Sequence, residues 1–272
     1  MPKPRRSHIL SKLRLVLLLL VPGAATVHAQ QPFVTDDADT TPKGRFHFEF
    51  SSEFDLLQKS AFPNLKQNTA DFELDYGLLE HVEIGVAAPL LTIFNAAGTS
   101  PKTVTGIGDM NLSVKYNFLR EQENSRLPAL TIALNFEVPT GDADRQLGSG
   151  LADFYINGVV QKSVTRKTKL RLNSGILFSG NETTGVVGLK SRGTVFTAGG
   201  SLVKQFTPKL QLGMELTGAM SKQLDLGKGH LQTLLGGNYQ FKSNASFDFG
   251  VVAGKYTGSP RAGVQLGVSI DF

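Results

Sequence analysis

Ala262-Gly263-Val264-Gln265-Leu266-Gly267-Val268-Ser269-Ile270-Asp271-Phe272, the end of the chain, decides the fold. Ala262, Val264, Leu266, Val268, Ile270 and Phe272 alternate with Gly263, Gln265, Gly267, Ser269 and Asp271. Successive side chains of an extended strand point to opposite faces, so this stretch is a strand with one apolar and one polar face. Two upstream runs repeat the pattern. Met110, Leu112, Val114, Tyr116 and Phe118 oppose Asp109, Asn111, Ser113, Lys115 and Asn117, and Leu130, Ile132, Leu134 and Phe136 oppose Thr131, Ala133, Asn135 and Glu137. No stretch after the first thirty residues sustains a helical repeat of apolar positions, and the chain holds 29 glycines. The composition is all-β.

Runs of this kind predict twelve strands, near 44–56, 68–79, 82–92, 106–119, 128–138, 150–164, 168–179, 193–206, 209–222, 230–242, 245–256 and 261–272. Gly199-Gly200 weakens the run at 193–206, and Pro89, which cannot donate to a ladder, is expected to bulge or end the third strand. Globular strands average about 5 or 6 residues, whereas these runs have the length of tilted membrane crossings. The connections alternate. Short turns follow the even strands, and longer segments such as Asn95–Thr105, Pro139–Ser149, Gly180–Arg192 and Gln223–Gly229 follow most odd ones. With an even strand count, both termini fall on the short-turn side, which is the plan of a transmembrane antiparallel up-and-down β-barrel of the bacterial outer membrane. A soluble sheet also alternates, but a soluble sandwich divides into units of about 100 residues and this chain shows no such division.

Aromatic placement agrees with lipid as a partner. Phe118, Phe206, Phe241 and Phe272 fall at the short-turn ends of their strands, and Phe54, Phe94, Phe136 and Phe178 at the long-loop ends, giving two interfacial girdles. Phe272, a C-terminal aromatic on an alternating strand, resembles the assembly signal of outer-membrane barrels, which implies the barrel-assembly machinery as a second partner.

Residues 1–29 read as a signal peptide. Lys3, Arg5, Arg6, Lys12 and Arg14 precede and enter the apolar stretch Leu15–Val21, and Val27-His28-Ala29 supplies a cleavage site, so the mature chain is expected to begin at Gln30. The apolar core falls short of the roughly 18 residues a membrane-spanning helix needs. The leader holds five of the 28 basic residues and no acid, leaving 23 basic against 23 acidic residues. The basic balance thus belongs to the leader, and nothing in the rest calls for a nucleic-acid partner. With no cysteine, an exported protein has neither a disulfide framework nor thiol chemistry. Residues 30–43 form an extended N-terminal segment and 44–272 the barrel.

Several short motifs occur in order: Thr35-Asp36-Asp37-Ala38-Asp39 with Pro42-Lys43-Gly44, Tyr76-Gly77-Leu78-Leu79 with Glu83-Ile84-Gly85, Gly106-Ile107-Gly108-Asp109 with Val114-Lys115-Tyr116, and Val138-Pro139-Thr140-Gly141-Asp142 with Gly148-Ser149-Gly150. Over residues 33–165 the chain resembles the family of outer-membrane transporters named for the meta-cleavage pathway of phenol degradation. The resemblance implies a barrel and a transport role without naming phenol as the solute. Asp37 stands where that family suggests a basic residue.

Catalytic chemistry finds little support. After the leader only His47, His81 and His230 remain, with His47 and His81 expected near the periplasmic rim and His230 near the outer one, and no Gly-x-Ser-x-Gly elbow or phosphate loop occurs. The acidic groups Asp36-Asp37-Asp39 and Asp142/Asp144 lack a calcium-loop pattern and read as solvated acids, so no metal or cofactor is expected. The informative residues are inward-facing: Glu49, Glu73, Asp75, Glu83, Asp109, Glu137, Asp153, Glu215 and Asp248, against the bases Lys115, Arg171 and Lys204. A twelve-stranded lumen lies between the filled eight-stranded and the open sixteen-stranded case. The function expected is passive passage of small solutes, hydrophobic or aromatic ones among them, with cations favoured and Glu73, Asp75 and Glu83 contributing most. The alternative is a closed barrel serving as an anchor or adhesin through its outer loops.

Overall fold

In lipid, each backbone N–H and C=O must be paired within the protein, so a sheet that spans a membrane has to close on itself. The computed structural model describes residues 32–60, 63–96, 101–123, 126–178, 193–221 and 230–272 and shows this closure. The expected leader, with its cleavage after Ala29, and the connections Gly180–Arg192 and Gln223–Gly229 lie outside the described residues.

The strands are β1 (Phe46–Leu56), β2 (Lys66–Leu79), β3 (Val82–Phe94), β4 (Val104–Ile107), β5 (Met110–Leu119), β6 (Ala129–Val138), β7 (Asp153–Thr165), β8 (Thr168–Phe178), β9 (Thr194–Thr207), β10 (Leu210–Ser221), β11 (His230–Lys242), β12 (Ala245–Lys255) and β13 (Ala262–Asp271). Both β4 and β5 pair with β3, so they are two pieces of one crossing and the barrel has twelve. Every neighbouring pair is antiparallel, and β1 closes the ring by pairing with β13 from His47↔Asp271 to Leu56↔Ala262. All twelve predicted runs coincide with a crossing. Glu80-His81, Arg166-Lys167, Pro208-Lys209 and Ser243-Asn244 are tight turns on the side of the termini, while the connection 120–128 is longer than its neighbours there.

Pro89 does not end its strand. Between Ala87↔Asn111 and Leu90↔Ile107 the β4–β5 side holds one residue more than β3, and Gly108 N–H donates to the Pro89 carbonyl at 2.8 Å. The missing proline donor is accommodated by a bulge in the partner strand.

Burial is inverted relative to a soluble sheet. On β5, Leu112, Val114, Tyr116 and Phe118 are exposed whereas Lys115 and Asn117 are buried. The same inversion runs round the barrel, from Phe72 and Leu74 to Leu235, Val251 and Leu266, and an apolar outer band of this kind belongs in lipid. Phe118, Phe206, Phe241 and Phe272 are exposed at the short-turn rim. Phe272 stacks on Phe46 with ring centroids 5.6 Å apart, across the closing seam. No helix among the described residues is long and apolar enough to cross a membrane; the strands do so. The protein is an outer-membrane β-barrel.

Candidate functional site

The inward polar face leaves charged groups in a confined lumen, where each needs a partner. Much of that pairing comes from the chain before β1. Residues 32–43 run across the lumen from the β2–β3 wall to the β11–β12 wall. At the β2 end, Gly44 N–H donates to the Gly77 carbonyl (2.8 Å), and Gly77 lies so close beneath the carbonyls of Thr41 and Pro42 that no Cβ fits there. Thr41 N–H donates to Glu83.

The acidic stretch then meets the basic side of the lumen. Lys169 and Gln161 donate to Asp39, and the Ala38 carbonyl accepts from Asn117 Nδ2 (2.6 Å) and the Thr131 hydroxyl (2.7 Å). Asp37, 2 % exposed, takes Lys115 Nζ on Oδ1 at 3.1 Å and Arg171 Nη2 on Oδ2 at 3.4 Å. Asp36 accepts from Asn157 Nδ2 (2.7 Å), while its N–H donates to Asn173 Oδ1. Farther along, the N–H groups of Val34 and Thr35 donate to the two oxygens of Glu215, and the Thr35 hydroxyl donates to Ser201.

The far end is apolar. Phe33 packs with Val203, Leu234 and Val252, three residues standing on the otherwise polar inner face. Its ring lies where Gly213 leaves space, since a Cβ there would come within 2.7 Å of it. Pro32 is fully buried beside Gly236 and Gly250.

The expected lumen residues therefore divide by partner. Glu83, Lys115, Arg171 and Glu215 hold the N-terminal segment. Glu49 pairs with His47, which also contacts Asp271, and Glu73 faces Glu49 across the β1–β2 register, with Asp75 opposite His47. Asp248 accepts from the hydroxyls of Ser246 and Ser269. Asp109 sits in the β4–β5 break and accepts from the N–H groups of Gly141 and Ser149, clasping the loop after β6, whose Leu147 is buried among Leu91, Ile93, Ala96 and Val104. Asp142 caps the short helical turn of that loop, accepting from the N–H groups of Asp144 and Arg145, and no metal-binding cluster occurs among the described residues. One inward assignment is corrected. Lys204 points outward and lies 5.2 Å over the Phe206 ring, because Ser201 and Val203 take the inner positions of β9, whose paired glycines blur the alternation in the sequence. Lys169, absent from the sequence reading, supplies a base inside.

Above Val34–Asp36, on the long-loop side, is a cavity of about 320 Å³. Asn111, Glu137, Asp153, Asn157 and Asn173 line one arc; Leu177, Val195, Ala198 and Ala219 line the other. Tyr155 stands between them, its hydroxyl 2.8 Å from that of Thr197.

Residues 30–272 match the model of the family described as "Putative MetA-pathway of phenol degradation". The chain belongs to this family. Its short motifs acquire a shared sense in the barrel: the acidic run, Gly77, Glu83 and Lys115 build the crossing segment, while Asp109, Gly141 and Ser149 build the loop clasp. No curated protein matches the chain. Among solved structures it is similar to the COG4313 outer membrane channel from Pseudomonas putida F1, with TM-score 0.66, 14% identity, and coverage of 87% of this chain and 99% of that one. It also resembles the NanC porin (TM-score 0.53, 9% identity, 83% and 98% covered) and the translocator domain of the autotransporter NalP from Neisseria meningitidis (0.50, 11%, 84% and 88%). At such identities the shared property is the fold.

Removing one member of a buried ion pair costs about 3 to 5 kcal/mol because the other charge is left unpaired. Asp37→Ala leaves two such charges, Lys115 and Arg171, and is expected to loosen the segment. The chain has no cysteine, so Thr35→Cys is a unique probe. A maleimide should label it slowly in the folded barrel and at least about tenfold faster when Asp37→Ala is added, given the size of that penalty. Equal labelling rates would show that the ion pairs do not hold the segment.

Proposed function

We propose that the protein is an outer-membrane channel for passive passage of small solutes, hydrophobic or aromatic ones among them. The observation that carries this is the floor of the outer cavity. It consists of Val34–Asp36, which belong to a single crossing segment held by side-chain hydrogen bonds and ion pairs, and not of wall side chains interlocked with one another. Such a floor can yield without breaking any inter-strand bond. A loop adhesin would have no need of a cavity that ends on a detachable segment.

The proposal assigns no catalysis. His47 is held by Glu49 and Asp271, His81 lies in the β2–β3 turn, and His230 lies far from both, bonded to Thr217 and the Gly258 carbonyl. Export with cleavage after Ala29 belongs to the same proposal, as does recognition of Phe272 by the barrel-assembly machinery. Phe272→Ser should lower the yield of heat-modifiable barrel in the outer membrane, and an unchanged yield would remove that role.

Fixed charge inside the barrel favours cations. Asp36, Asp37 and Asp39 add to the wall acids, and Lys115, Arg171 and Lys169 each contact an acid of the segment. A narrow lumen with low-dielectric walls focuses that field, and side-chain charge of one sign selects the opposite ion. The reversal potential across a planar bilayer under a salt gradient should carry the cation sign. It should move toward zero in Glu73→Gln/Asp75→Asn, whereas Glu83→Gln also releases Thr41 and tests two things at once. An anion preference would contradict the proposal, and a barrel without conductance would favour the anchor.

A further inference from the structure

The cavity above the segment has a polarity that the channel function alone does not require. Asn111 on β5 stands directly opposite Glu137 on β6, and Glu137 opposite Asp153 on β7, so three acceptor side chains form one row across adjacent strands. Directly opposed residues have Cβ atoms about 4.5 to 5.5 Å apart, close enough for one small group to touch two of them. Asn111 Oδ1 and Glu137 Oε1 are buried and receive no hydrogen bond from the described residues. Asn157, 2 % exposed and deeper in the same cavity, also keeps its Oδ1 without a donor among the described residues. Its amide orientation follows from its Nδ2, which donates to the Asp36 carboxylate.

Buried acceptors of this kind require donors from whatever occupies the cavity. Its charge narrows the choice. Asp36 and Glu137 bring carboxylates to it, no Lys or Arg lines it among the described residues, and His230 is engaged by Thr217 and the Gly258 carbonyl. At the same level, the next strands turn apolar: Leu177, Val195 and Ala219 form a buried cluster on β8, β9 and β10 with Tyr155 packed against it. The cavity thus has a donor-seeking, negatively charged arc beside an apolar one. Its volume of about 320 Å³ is at the small end for ligand pockets, which span about 300 to 1,000 Å³.

We propose that this cavity is a binding site for small organic cations with an apolar body, of the aryl-alkyl ammonium class. The ammonium brings three donors and no acceptor, and sits at the Asn111–Glu137 row. The apolar body lies on Leu177, Val195 and Ala219. The site rests on the proposed channel function only for the route by which such a solute reaches it.

Three probes of matched shape separate the chemistries: 2-phenylethylammonium, 2-phenylethanol and phenylacetate, titrated calorimetrically into the detergent-solubilised mature chain. Charge-assisted hydrogen bonds are roughly twice as strong as neutral ones, so the ammonium should bind at least about tenfold more tightly than the alcohol, and phenylacetate should bind more weakly than either. Glu137→Gln should abolish the preference over the alcohol, with heat-modifiable mobility reporting an intact barrel. Asn111→Leu, which removes an acceptor without touching a charge, should weaken the ammonium and leave the alcohol's weaker binding nearly unchanged. Equal binding of ammonium and alcohol, tighter binding of phenylacetate, or an unaltered preference in Glu137→Gln would overturn the site. Liposome swelling with the same probes separates the two proposals. Swelling together with calorimetry that shows no ammonium preference overturns the site and leaves the channel standing, whereas an ammonium preference without swelling supports the site and contradicts the channel.

Discussion

Closure of the sheet is the constraint from which the rest follows. Once β1 pairs with β13, the wall satisfies its own backbone and can meet lipid with side chains alone. The two-residue side-chain period then fixes what faces inward. The alternate positions face the lumen, and apart from apolar patches such as Val203, Leu234 and Val252 they give an interior rich in Glu, Asp, Asn, Gln, Lys and Arg.

That interior creates a second requirement, because charges brought into a confined space need partners. The protein meets it partly within the wall, as in His47 with Glu49 and Asp271, and partly with its own N-terminal segment. The segment is complementary along its length. Backbone N–H groups meet Glu83 and Glu215, side-chain acids meet Lys115, Arg171 and Lys169, and Phe33 meets the apolar inner residues. Filling the lumen in this way divides it, with a crossing segment toward the side of the termini and an open cavity toward the long loops. Chemistry at the cavity is accordingly set by residues on both the wall and the segment.

The crossings were legible because alternation between lipid and lumen leaves a period of two in the sequence, as in 110–118 and 262–272. Where that signal weakens, so does the reading. Small residues at Gly199 and Gly200 obscured the faces of β9 and put Lys204 on the wrong one, and Pro89 shifted its irregularity into the neighbouring strand, which no single-strand pattern reveals. The crossing segment was not legible at all, although its acids were conspicuous. Its partners are scattered over strands from β2 to β12, and an inward Lys or Glu looks the same whether it lines water or holds another part of the chain. A usable signal existed in Val203, Leu234 and Val252, apolar residues on a polar face, which mark a place where something apolar must dock. The twelve residues expected to face inward were assigned by face alone, and only three dimensions separate those that grip the segment from Asp109, which grips a loop.

Under the proposed function, the N-terminal segment is the removable element that limits passage through an otherwise intact barrel. Single-channel conductance of the full mature chain, compared with that of a variant lacking residues 32–41 and shown to keep heat-modifiable mobility, tests it most directly. Removal of the segment should raise the conductance several-fold. Unchanged conductance through an intact barrel would contradict it.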